Sequence, residues 1–274
     1  MEQNAKHKVR VIAFYLPQFH PTPENDRWWG KGFTEWTNVG KAKPLFRGHY
    51  QPKVPADLGY YDLRVPETRE AQADLAREYG VEGFCYWHYW FGNGRQLLQR
   101  PFNEVLQSGK PDFPFCLAWA NHSWEDKQFS KDGGHKMLME QLYPGDEDYI
   151  AHFKAVLPAF KDPRYIRVNG NPLFVIYSPM MVPDMAHFIE LWQQLAAKEG
   201  FRIHFVGHTS KVEELPLYRQ WGFDATIMVR LFGIFRKGYT LLERMNAKFQ
   251  RVAFNQGRRI EYSRAARYFT GPED

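Results

Sequence analysis

Short, almost unbroken apolar runs recur along the chain at Val9–Leu16, Val81–Tyr89, Phe113–Ala120, Leu173–Tyr177, Ile203–Gly207 and Ala225–Val229. Runs of this length without in/out alternation predict parallel strands covered on both faces. Between them the spacing turns helical. Pro66 opens a segment in which Ala71, Leu75 and Tyr79 share one face, and Gly80 can close it. Asp184 is placed to cap a helix in which Phe188, Leu191, Trp192 and Leu195 repeat at helical spacing up to Gly200. Asp146, Glu147 and Asp148 put negative charge at the start of a third helix, where the dipole favours it. Ile150, Phe153, Val156, Leu157 and Phe160 follow, with Pro158 expected to kink or stop it.

Strands alternating with helices predict an α/β fold with a parallel sheet, either a barrel or an open doubly wound sheet. No internal repeat and no low-complexity linker interrupts the chain, so one domain is expected. The segment from Pro17 to about Asp62 shows no clear periodicity. Loops that long in a compact domain are usually functional. This one also follows the C-terminal end of a strand, where barrels and open sheets both place their sites.

Length is compatible with this picture, because 274 residues fit one α/β barrel of about 250. The chain has 44% hydrophobic and 17% aromatic residues, enough for a core. Its two cysteines, Cys85 and Cys116, lie inside apolar runs and are expected to be reduced core thiols. The net charge of +5 is unevenly distributed. Residues 1–229 hold 26 basic and 27 acidic side chains, whereas 230–274 hold 10 and 4, making a basic tail of +6. A near-neutral domain argues against a nucleic-acid-binding fold, while the tail could meet phosphate or an acidic membrane surface. The polar N-terminus has no signal-peptide pattern and no run is long enough to span a bilayer, so a soluble cytoplasmic protein is expected.

Seven of nine tryptophans precede residue 125, clustered where strands end and loops begin, with Asn38, His49, Gln51, His88, Asn121 and His122 nearby. A sugar presents a flat C–H face and a rim of hydroxyls, so aromatic walls with a few hydrogen-bonding groups suit it. A Trp-rich core with loops folded over it would produce the same composition. Glu35 and Glu125 are the loop carboxylates beside tryptophans, where a raised pKa would suit general-acid work. Either could equally be a solvated or structural hydrogen bonder. His88 closes the second strand as a candidate base or hydroxyl binder, or as a buried structural histidine. Gly92-Asn93-Gly94 lacks the third glycine of a dinucleotide fingerprint, with Leu97 in its place. Asp146-Glu147-Asp148 has the Asp-x-Asp shape of metal-dependent nucleotide-sugar transferases but fits a helix start better.

Four stretches are more specific: Phe14-Tyr15-Leu16-Pro17-Gln18-Phe19-His20; Asn25 to Val39, containing Trp28-Trp29-Gly30-Lys31-Gly32-Phe33-Thr34-Glu35-Trp36; Gly83 to Phe91; and Phe115-Cys116-Leu117-Ala118-Trp119-Ala120-Asn121. With His49-Tyr50-Gln51-Pro52, they resemble the WbsX-type family of bacterial glycosyltransferase-annotated proteins with a glycoside hydrolase family 99-like domain. The resemblance covers about residues 9–260. It implies a (β/α)8 TIM barrel acting on glycans in cell-surface polysaccharide synthesis, such as lipopolysaccharide O-antigen or rhamnan, as transferase or hydrolase.

Two departures stand out. His122 occupies a position where the family often has an acidic residue, and the late Glu-Trp-x-Glu-Gly motif of the catalytic carboxylates is absent. Six strands are predicted by residue 230, and two further strand–helix units would need about 60 residues where 44 remain. The expectation is therefore a single, incomplete barrel domain over 1–274 with about six strands and a basic helical tail at 230–274. Expected catalytic residues are Glu35 and His88. Expected substrate contacts are Tyr15, Gln18, Trp29, Trp36, Trp90, Trp119, Asn121, His122 and Trp124. The ligand is expected to be a mannose- or rhamnose-type glycan or a nucleotide sugar, with no metal, no cofactor and no nucleic acid. Peripheral membrane association through the tail and an oligomer complete the expectation. The alternative is a non-catalytic carbohydrate-binding protein, or a fragment lacking its catalytic strand.

Overall fold

The computed structural model describes residues 9–126, 136–229 and 261–269, with a few positions between 242 and 249. All six predicted strands are present: β1 (Ile12–Tyr15), β2 (Gly83–Trp90), β4 (Phe115–Trp119), β8 (Asn171–Ile176), β9 (His204–Thr209) and β10 (Ala225–Met228). They pair in the order β1-β2-β4-β8-β9-β10, every pair parallel, and curve into a half-barrel. Parallel neighbours need crossovers, and the helices supply them on the outer face. These are α3 (Pro66–Glu78), α4 (Arg100–Ser108), α5 (Asp146–Lys161), α6 (Met185–Lys198) and α7 (Leu215–Trp221).

The helix ends follow the expected chemistry. Pro66 stands at the first turn of α3, and Gly80 follows its end at φ 75°. The Asp184 carboxylate accepts from the His187 amide and caps α6. Pro158 does not stop α5, which runs on to Lys161. Arg167 and Trp192 satisfy the carbonyls of Phe160 and Tyr149 in that helix. The long first segment contains two short helices, α1 (Pro23–Trp29), capped by Thr22, and α2 (Glu35–Lys41), capped by Thr34. Each is only 7 residues long, too short for an apolar face to repeat.

Three antiparallel additions were not predicted. β3 (Gln96–Leu97) folds back on β2, β5 (Trp124–Asp126) pairs with β6 (Lys136–Met139), and β7 (Arg167–Val168) pairs with β8. Asn169 and Gly170, both at positive φ, make the two-residue turn of this last hairpin. Of the basic tail, α8 (Tyr262–Phe269) is helical, and most of 230–274 lies outside the described residues.

The core lies between the sheet's outer face and the helices and is dominated by rings. Trp192 of α6 is fully buried and packs at 4.7–5.5 Å ring separation against Phe174, Phe188, Phe153 and His152. Trp192→Ala should cost about 3–5 kcal/mol of unfolding free energy, read from the urea midpoint and slope. A loss below ~1 kcal/mol would show that this layer does not carry the fold.

Candidate functional site

In-register parallel pairing sends residues at matched positions to the same side of the sheet. Tyr86, His88 and Trp90 of β2 fall on the helix side, with Leu117, Trp119, Phe174 and Ile176 of its neighbours. Phe14, Cys85, Trp87, Cys116, Ala118, Val175 and Val206 fall on the concave side. This division sorts the expected residues by face of the sheet.

On the helix side, Trp119 stacks on Phe188 at 5.3 Å, and its Nε1 donates to the Trp90 carbonyl at 2.9 Å. Trp90 stacks on His152 at 4.8 Å, and its Nε1 donates to the Asp148 carboxylate at 3.0 Å. That carboxylate also accepts from the Gly94 amide at 3.3 Å, so the acidic helix start anchors the turn after β2. Tyr15 donates to Gln72 of α3. All three rings are buried in the core.

His88 lies on the same side, its Nε2 2.9 Å from the Nε2 of His152. Burial pushes His88 down to about 4 and His152 well below its usual value, so both are neutral near pH 7. The Nδ1 of His152 is buried without a hydrogen-bond partner. A bare lone pair there costs less than an unpaired N–H, which assigns the shared proton to His152 Nε2 donating to His88. The pair links β2 to α5. Asn121 is likewise structural. Its amide donates to the Ser178 carbonyl at 2.9 Å and to the Tyr143 hydroxyl at 3.1 Å, and its Oδ1 accepts from the Ser178 amide at 2.8 Å. It fastens the end of β4 to the loop after β8.

On the concave side a row of rings crosses the C-terminal ends of the strands. Phe14 stacks on Trp87 at 4.5 Å with planes 4° apart, and Trp87 meets Tyr177 edge-on at 5.3 Å. Tyr177 lies 4.7 Å from His208 and 5.2 Å from His122. Phe14 is 43% exposed, while Trp87, Tyr177, His122 and His208 are half-buried. The row opens into a cleft of about 290 Å³ lined by Tyr177, Ser178, Met181, His208, Lys211 and Glu214, among others.

The Glu214 carboxylate in that cleft accepts from the Thr209 hydroxyl at 2.6 Å, the Tyr218 hydroxyl at 3.2 Å and the Lys211 Nζ at 2.8 Å. Burial opposes its charge, but these three donors outweigh it and hold the carboxyl below its usual range. Gly207 makes the arrangement possible, since a Cβ there would stand 2.6 Å from the Tyr218 ring.

Of the expected residues, His122 belongs to this row. Glu35 is the first residue of α2. Its amide donates to the Gln18 carbonyl at 3.5 Å, and its carboxylate accepts from Asn38 at 3.3 Å. Burial raises the pKa of the Tyr89 hydroxyl, and the charges of Glu35 and Tyr177 add to the rise. Trp124 packs edge-on against Trp28, Tyr89 and Phe91 above the same strand. Trp36 packs with Phe19, Tyr60 and Tyr61, and Trp29 with Phe33, within the first loop. Phe14, Trp87, Tyr177, His208 and Glu214 were not among the expected residues. Counting strand positions in twos from Trp87 would have separated it from His88 and Trp90.

A sequence model of the glycosyltransferase WbsX family matches residues 11–273. The uncharacterized protein WxcX of Xanthomonas campestris pv. campestris is 42% identical over 219 residues, which are 79% of this chain and 30% of that protein. The chain thus spans under a third of this relative. Among solved structures, the GH99 endo-alpha-mannosidase of Bacteroides thetaiotaomicron in complex with bis-tris-propane is 16% identical. It superposes with a TM-score of 0.51 over 80% of this chain and 58% of that one. A glycoside hydrolase-like protein is 14% identical, with a TM-score of 0.51 over 90% of this chain and 69% of that one. At these identities the likeness concerns the fold.

The histidine pair yields a pH signature. Its native pKa values lie below the unfolded value of about 6.5, so the unfolded state binds more protons as pH falls, and stability falls with it. Stability should drop toward pH 4 by up to about 1.4 kcal/mol per pH unit for each histidine. Urea midpoints measured across that range should show the slope, and His88→Gln should make it shallower. An unchanged slope in the variant would remove the pair as its source.

Proposed function

The chain belongs to the WbsX glycosyltransferase family, and from that premise we propose that it forms the glycan-binding part of a carbohydrate-processing enzyme. The glycan lies across the C-terminal ends of the strands, over Phe14, Trp87, Tyr177 and His208, with one end in the adjoining cleft. The observation that carries this reading is the continuous row of half-exposed rings opening into a cleft with a fixed carboxylate. A sugar's C–H face meets the rings while His122, His208 and Glu214 take its hydroxyls. The ligand class is a mannose- or rhamnose-type glycan, and the setting is synthesis of cell-surface polysaccharide such as O-antigen, in the cytoplasm. Residues 1–274 act as one domain in this reading.

Glycosidic chemistry needs a proton donor and a group that stabilises the positive charge developing on the sugar ring. Glu214, kept ionised by three donors, suits charge stabilisation and hydroxyl binding. Glu35, whose charge is felt at the Tyr89 hydroxyl of β2, is the proton-transfer candidate. His88 has no part in this scheme, because its Nε2 is committed to His152.

Trp87 provides a built-in reporter. Titration with mannose- and rhamnose-containing oligosaccharides should change tryptophan fluorescence, and Tyr177→Ala should weaken that binding by about tenfold. No response of the native protein to any of these sugars, or unchanged affinity in Tyr177→Ala, would overturn the reading.

A further inference from the structure

Between Glu35 and Asp57 the sequence has no acidic residue, yet it carries Lys41, Lys43, Arg47 and Lys53. All four are exposed, and none enters an ion pair among the described residues. Lys53 instead lies 4.5 Å over the Tyr50 ring. Large apolar side chains stand between these cations: Leu45 is 49% exposed, Tyr50 62% and Val54 63%.

The loop is built to hold them outward. Phe46 stacks on His49 at 4.6 Å, and His49 Nδ1 accepts from the Leu45 amide at 3.1 Å. At its base Trp36 is gripped by Phe19 and Tyr61, and its Nε1 donates to the Tyr61 carbonyl at 2.8 Å.

We propose that this loop docks the protein on an anionic lipid surface, with the four cations meeting headgroup phosphates and Leu45, Tyr50 and Val54 entering the boundary between headgroups and acyl chains. Unpaired cations call for an anionic partner. The apolar residues choose among such partners, since a soluble polyanion would neutralise the charges and leave Leu45 and Val54 in water. A bilayer surface satisfies both sets at once. The loop rises from the C-terminal end of β1, the same end of the sheet as the ring row and the cleft. Docking therefore presents that end to the membrane, where a lipid-linked chain of sugars would lie. The docking itself does not depend on the glycan reading.

The test is co-sedimentation of the purified full chain with phosphatidylcholine vesicles, or with vesicles in which one lipid in three is phosphatidylglycerol. Binding should require the anionic lipid. The double variant Lys43→Glu/Arg47→Glu should lose about tenfold or more in partition coefficient. A second variant, Leu45→Ser/Val54→Ser, should bind vesicles several-fold more weakly while binding soluble heparin as the native protein does. Circular dichroism checks that both variants stay folded. The basic tail is identical in all three proteins, so undiminished vesicle binding by Lys43→Glu/Arg47→Glu would assign docking to the tail and overturn the proposal. No sedimentation of the native protein would do the same. Vesicle binding left unchanged by Leu45→Ser/Val54→Ser would hand the surface to a soluble polyanion.

Discussion

Everything on the concave side of the sheet depends on the register of six parallel strands. Parallel pairing without offset sends Phe14, Trp87, Ala118 and Val175 to one side of the sheet and Tyr86, His88, Trp119 and Ile176 to the other. A slip of one residue would exchange the two sets, turning fully buried Trp119 to the concave face and half-exposed Trp87 into the helix layer. The helix side prevents such a slip. Trp192, Phe188 and His152 fill one continuous aromatic layer against Trp119 and Phe174. Side chains packed at crystal-like density accommodate few substitutes.

The polar groups in this layer do a related job. A buried amide, carboxylate or imidazole without a partner is costly, so each one present must be placed and paired. Asn121 uses both its carbonyl oxygen and its amide to join the end of β4 to the loop after β8. Asp148 ties the start of α5 to Trp90 and to the turn at Gly94. The histidine pair does the same between β2 and α5. Such pairs fix which strand end meets which loop, and the rim holding Tyr177 and His208 depends on that choice.

Much of the fold was legible in the sequence because its signals are local. Continuous apolar runs marked six strands, and Pro66, Asp184 and the acidic triplet at 146–148 marked helix starts. The site was less legible for the same reason. Tyr15, Trp90, Trp119 and Asn121 stand close in sequence to residues of the concave face such as Phe14 and Trp87, and polar-aromatic composition does not tell the faces apart. Only pairing between distant strands does. His208 and Glu214 were missed because neither sits in an aromatic-rich motif. Glu214 gains its role from Thr209, Lys211 and Tyr218, which a 3₁₀ turn and α7 fold back toward it. The short α1 and α2 were hidden by their length, and only the caps at Thr22 and Thr34 announce them.

The first loop carries both the Glu35 carboxylate and the basic, apolar tip. Its base is the ring cluster of Phe19, Trp36 and Tyr61, tied by a backbone hydrogen bond from Leu63 to Phe19. Trp36 is the second residue of α2 and Glu35 the first, so the rings that anchor the loop also set where the Glu35 carboxylate stands relative to Tyr89. Outward from the same base run the cations and exposed apolar residues of the tip. A change at the tip that displaced these rings would therefore shift the Glu35 carboxylate. A change at Trp36 would disturb carboxylate and tip together. This shared foundation explains why so long a segment between β1 and α3 keeps a defined structure: its rings pack, its short helices are capped, and its two ends are tied by the Leu63–Phe19 hydrogen bond.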